Sequence, residues 1–225
     1  YRLRGYEGSP TGGSFHGPVS FWRRIVEAVL VVVRLIVPVA LLLTMLAATY
    51  LYGDVKVSWA SSLAQGARLT GGDLILPFAF LAIHLTNRRY GAGYAFAQLI
   101  LAMLAAAAVI ILDPANIDNW IQPVLTTRLV IAFASAFFFA NLIAIAMFDA
   151  SRGPRWWTAP LYGSISAFII FSAIYYPAAF AGSGADWMKD AIIHFGVFMA
   201  SAVLLLIPYW MMRGMMRPLS GLNGY

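Results

Sequence analysis

Six long apolar runs, separated by short polar loops, constrain this chain more than any other feature. They cover Phe21–Tyr52, Leu74–Ile83, Tyr94–Leu112, Leu125–Phe148, Thr158–Phe180 and Ala191–Met212. A helix rises about 1.5 Å per residue, so about 20 apolar residues cross a hydrocarbon core about 30 Å thick. Five runs reach that length unaided. The second reaches it when extended through His84 to Arg88, which puts a histidine, Asn87 and two arginines at the end of a membrane helix. The expected fold is an all-α integral membrane protein with six transmembrane helices.

The loops alternate in charge. Arg23 and Arg24 precede the first run, Arg88 and Arg89 follow the second, Arg152 and Arg155 separate the fourth and fifth, and Arg213 and Arg217 follow the sixth. The other loops carry Asp54, Asp73, Asp113, Asp118, Asp186 and Asp190, with only Lys56, Arg68 and Lys189 as cations. Short arginine-rich loops stay in the cytoplasm, so both termini are expected there and the chain is expected to be a multi-pass protein of the inner membrane. Topology accounts for the formal net charge of +6, and no nucleic-acid partner is needed to explain it.

Apolar residues make up 61% of the chain and charged ones 11%, against about 45–50% and 25% in soluble domains. The sequence therefore divides into a Gly-, Ser- and Pro-rich tail over residues 1–20, expected to be disordered, one membrane domain over 21–217, and a short tail over 218–225. The chain has no cysteine, which excludes disulfides and thiolate metal sites. Trp and Tyr cluster near the run ends, as in an aromatic belt. Alternation of Val55, Val57 and Trp59 hints at a short extended segment in the longest loop. Pro38, Pro77, Pro160, Pro177 and Pro208 lie in or at the ends of runs, where each can bend its helix.

Polar groups inside a bilayer are costly and tend to face the bundle interior or a wet cavity. Arg34 lies mid-run, one heptad after Glu27 and on the same helix face, which suggests an ion pair or a snorkelling side chain. His84 and Asn87, three residues apart, share a face. His84 offers either a helix-to-helix bond or a ligand and proton site. His194, near the start of the sixth run, offers the same two roles. Arg128, near the start of the fourth, either snorkels outward or points into a vestibule. Ser164 and Ser166 in the fifth run can bond their own helix. Asn141 is better suited to an interhelical or ligand bond. No HExxH pattern, nucleophile elbow or Gly-rich phosphate loop is present, so neither an enzyme nor a cofactor or metal is expected.

The stretch Phe78–Gly91, FAFLAIHLTNRRYG, resembles the signature of the queuosine-precursor transporters, also called the vitamin uptake transporter family. Further similarity follows in order: Arg128 opening the fourth run, then Asn141, then Arg155, Trp156 and Trp157, then Ala159 and Pro160 with Ser164 and Ser166, then Trp187 and Met188. The resemblance covers roughly Thr49–Met216. It departs at His84, where many members carry an acid, at Ala167 after Ser166, and at His194 and Phe198. It implies a membrane transporter importing a small planar heterocycle, with 7-cyano- or 7-aminomethyl-7-deazaguanine first. The implied substrate-binding residues are His84, Asn87, Arg128, Asn141, Ser164, Ser166 and His194, with Phe80, Phe168 or Phe171 stacking on the ring. The competing expectation is a non-transporting accessory or scaffold subunit of a membrane complex.

Overall fold

Every apolar run becomes a helix, and the prolines and caps decide where each one breaks. The computed structural model describes residues 21–53, 55–57, 69–112, 127–182 and 186–219. Its helices are α1 (Phe21–Leu51), α2 (Gly71–Tyr90), α3 (Ala92–Leu112), α4 (Thr127–Ala150), α5 (Thr158–Phe180), α6 (Trp187–Leu204) and α7 (Leu206–Arg213). The expected tail over 1–20 and all but Pro218 and Leu219 of the expected tail over 218–225, with Trp59 and most of its loop, lie outside the described residues.

Among the described residues, five stretches are long and apolar enough to cross a membrane: Ile25–Leu51, Ala92–Leu112, Arg128–Ala150, Thr158–Phe180 and Trp187–Met212. Helix α2 has the length, at 20 residues, but is less apolar. The described residues are thus all-helical, with five or six apolar helices that could span a membrane.

The break between α6 and α7 follows from Pro208. Its ring crowds the carbonyl four residues back, at Leu204, where α6 ends. Pro160 sits in the first turn of α5, where a missing N–H costs nothing. Helix α2 starts on a capping box. Thr70 Oγ1 accepts from the Asp73 N–H, and Asp73 Oδ2 accepts from the Thr70 N–H at 2.8 Å. Just before it, Lys56 and Thr70 form an antiparallel bridge, so the extended segment hinted at by Val55 and Val57 is one bridge long. Gly91, at φ 90°, is the single residue between α2 and α3.

The chain divides into two units at Arg34 and Leu35. In the first, the α1 side chains Val26, Val29, Leu30, Val31, Val32 and Val33 are exposed, as suits a lipid-facing surface. Glu27 and Arg34 there each engage a partner. In the second, α2 touches α3, α4, α5, α6 and α7, and α4 packs most extensively on α5. The core is aromatic. Phe80 of α2 meets Phe137 at 5.2 Å, Phe168 at 5.2 Å and Phe171 at 6.3 Å, and Phe168 stacks on Phe198 at 5.2 Å. These rings fill one another's space. Phe80, Phe168 and Phe171 are at most 1% exposed, so the stacking role expected for them would require the core to open.

Candidate functional site

The central position of α2 explains its polar half. A helix surrounded by five others can carry groups that a lipid-facing helix cannot, because neighbours supply partners. His84, Thr86, Asn87 and Arg88 are all at most 7% exposed. Thr86 returns its hydroxyl to the Ala82 carbonyl at 3.2 Å. His84 reaches across. Its Nε2 lies 3.1 Å from Ser164 Oγ on α5, and its ring stacks on Phe148 of α4 at 5.3 Å. Its other ring nitrogen, Nδ1, is buried without a hydrogen-bond partner.

Gly163 makes this contact possible. A Cβ there would stand 2.8 Å from His84 Cε1, closer than real Cβ atoms approach, and 3.3 Å from the Ala144 carbonyl oxygen, a tight contact. The absence of a side chain lets α5 slide against the imidazole, and it places Ser164 within reach.

Asn87, one turn on, is already committed. Its Nδ2 donates to the Ile145 carbonyl at 3.3 Å. Arg152 Nη2 donates to the Asn87 carbonyl at 2.6 Å and to its Oδ1 at 3.0 Å. Arg152 Nε donates to Asp149 Oδ1 at 2.7 Å. This fork ties the end of α4 to the last turn of α2.

The other expected residues separate. Asn141, fully buried on α4, donates from Nδ2 to its own helix at the Phe137 carbonyl, 2.8 Å away, rather than to a neighbouring helix. Its Oδ1 has no partner. An asparagine can bond the carbonyl four residues back as serine does, and here that is the donor's solution. Ser166 does the same, with bonds to the Tyr162 and Gly163 carbonyls at 2.7 and 3.0 Å. Arg128 closes the far end of α5, donating to the Ala178 and Ala181 carbonyls at 2.7 and 2.6 Å. Those are orphan carbonyls of a helix C-terminus, where a cation is favoured. His194 lies at that same end, with Nδ1 3.4 Å from Asp73 Oδ1 and its ring edge-on to Tyr176 at 5.5 Å. The structure thus brings His84, Ser164 and Asn87 together in one region, with Asn141 on the same α4 face as Phe148, and sends Arg128 and His194 to the opposite end.

Three contributors carried no chemical signal in the sequence. In the sequence Phe148 is the last residue of an apolar run, Gly163 an unmarked residue within one, and Arg152 a topology marker. Among the described residues, no three His, Cys, Asp or Glu side chains come close enough to hold a metal ion.

No family model, curated protein or solved structure matches this chain. The functional reading therefore rests on the residues themselves. The geometry offers a buried imidazole held between α2 and α5, with one ring nitrogen on Ser164, the other without a hydrogen-bond partner, and Phe148 stacked on its face.

Proposed function

We propose that this protein imports a small planar heterocycle across the inner membrane, with both termini and the arginine-rich end in the cytoplasm, and that a queuosine precursor is the first cargo to test. The observation that carries the reading is the His84–Ser164 pair with its unpartnered Nδ1. A buried imidazole nitrogen with no bond is costly in a membrane, and a ligand that completes it regains that cost. A deazaguanine presents donors and acceptors on one flat edge, which His84 and Ser164 can read. Phe148, stacked on His84, holds the imidazole in its orientation. The resemblance around His84 points the same way.

The test is uptake, or restoration of queuosine in tRNA, in a host lacking its own transporter. His84→Ala should cut uptake about tenfold with membrane expression unchanged, since leaving a buried partner unpaired costs about 1–3 kcal/mol. Wild-type uptake by that variant would overturn the assignment of the site. A second reading, a non-transporting accessory subunit, is favoured by one observation: Asn87, Ser166 and Arg128 each donate to the protein itself. Absence of uptake by the wild type, with normal folding, selects that reading.

A further inference from the structure

The end of the bundle where α2 finishes and α5 begins holds a concentration of cations that the His84 region does not use. A small crevice of about 10 Å³ opens there between Arg88, Arg152, Arg155, Phe148, Trp156 and Tyr209. That space admits about one water-sized group. Three arginines line it, and none of its lining residues is acidic. The nearest carboxylate in the bonding network, Asp149, is bound to Arg152.

Three features make this more than a solvated basic loop. First, the guanidiniums are held in place. Arg88 is only 7% exposed and sits over the Tyr209 ring at 5.9 Å, while Arg152 sits over Phe148 at 5.1 Å and is forked to Asn87. Second, donors remain. Arg152 uses Nε and Nη2 on Asp149 and Asn87, which leaves its Nη1 hydrogens, and the Arg155 side chain is exposed with its full fork available. Third, α5 begins beside the crevice at Thr158. Its N-cap residue, Trp157, makes no side-chain cap bond, and its first turn contains no acid. The positive end of the helix dipole therefore adds to the same field, although the Thr158 N–H donates to the Arg155 carbonyl at 3.3 Å and Pro160 has no N–H. Nearby, Arg213 lies over the Trp156 ring at 5.4 Å.

We propose that this crevice is a binding site for a phosphate oxyanion, with Arg152 and Arg155 as its principal ligands. The planar fork of arginine matches phosphate oxygens in pairs. The size of the crevice means that one phosphoryl oxygen enters while the rest of the group stays at the mouth. Both a phospholipid headgroup and a free phosphate present that chemistry. The site is independent of the transport reading.

The test uses the purified full chain in neutral detergent micelles. Thermal unfolding is followed while inorganic phosphate, phosphatidylglycerol or phosphatidylcholine is titrated at low ionic strength. A saturable rise in the midpoint is expected with a phosphate-bearing anion. Arg155→Gln, an exposed change, should weaken apparent affinity about five- to tenfold, and Arg155→Glu should abolish it. Lys56→Gln, an exposed cation outside the crevice, should leave affinity unchanged. A response to inorganic phosphate assigns a free anion, and a response to phosphatidylglycerol alone assigns a lipid headgroup. Equal affinity in the Arg155 variants and wild type, or no response to either anion, overturns the proposal; a response to phosphatidylcholine that the Arg155 variants lose assigns a lipid phosphate, since its phosphodiester carries the same oxygens.

Discussion

Helices α2 and α3 are neighbours of nearly equal length, 20 and 21 residues, yet they are built for different surroundings. Thirteen α2 residues are buried, including His84, Asn87 and Arg88. Only four α3 residues are: Ala95, Gln98, Leu99 and Ala102. The rest of α3, with Leu101, Leu104 and Val109–Leu112 exposed, presents apolar side chains outward. The more apolar helix is thus the peripheral one, and the less apolar helix sits in the centre. In water the order is reversed, because burial there is driven by apolarity. In lipid the tails are as apolar as leucine, so what draws a helix inward is close packing and polar pairing.

The sharpest way to break this comparison is to shorten a ring in α2 and a side chain in α3. Phe80→Ala should cost roughly 3 kcal/mol. That is the low end for buried phenylalanines, because lipid supplies no transfer term and the loss is one of packing. Leu104→Ala, on a side chain 62% exposed, should stay within about 0.5 kcal/mol. Unfolding of the purified protein in mixed micelles measures both, and equal costs would mean that α2 is not the centre of the bundle.

A smaller effect is expected at Gly163, the opening through which α5 meets α2. Gly163→Val should cost about 1–3 kcal/mol by overpacking against His84, while Gly93→Val in α3, where no atom stands within 4 Å of an added Cβ, should cost about 1 kcal/mol or less. If the two valines proved equally harmful, the close approach of α5 to the imidazole would be in doubt.

The mildest change probes the polar link that α3 does make. Gln98 Nε2 donates to the Pro38 carbonyl at 2.8 Å. That carbonyl lies in a proline-interrupted stretch of α1 and accepts this side-chain bond. Gln98→Leu should cost about 0.6 kcal/mol, typical of a side-chain bond between membrane helices. A loss as large as that of Phe80→Ala would put α3 in the same class as α2.

Apolarity located the spans closely: α5 covers Thr158–Phe180 and α3 ends at Leu112, both as read from the runs. It missed the start of α6, because Trp187, Met188, Lys189 and Asp190 form a polar first turn that an apolar window skips. It also missed the start of α2, which a capping box at Thr70 and Asp73 sets three residues before the apolar run. In the candidate site, the shared face of His84 and Asn87 was legible because it depends only on helical period. The Ser164 partner, the Phe148 stack and the Arg152 fork were not, since each joins residues 58 or more positions apart through packing that no local pattern encodes. Asn141 shows the converse: its donor's partner is four residues away, and the local bond was available to it all along.

The single-residue joint at Gly91 has a consequence for how the protein is made. A one-residue link spans at most about 3.6 Å, so the joined ends of α2 and α3 cannot part as the chain leaves the ribosome and meets the lipid. Helix α2 carries His84, Asn87, Arg88 and Arg89 and is a poor candidate for entering hydrocarbon alone. Tethered to the strongly apolar α3, it partitions as half of a hairpin whose combined transfer is favourable. Insertion of the polar helix is in this way delegated to its apolar neighbour.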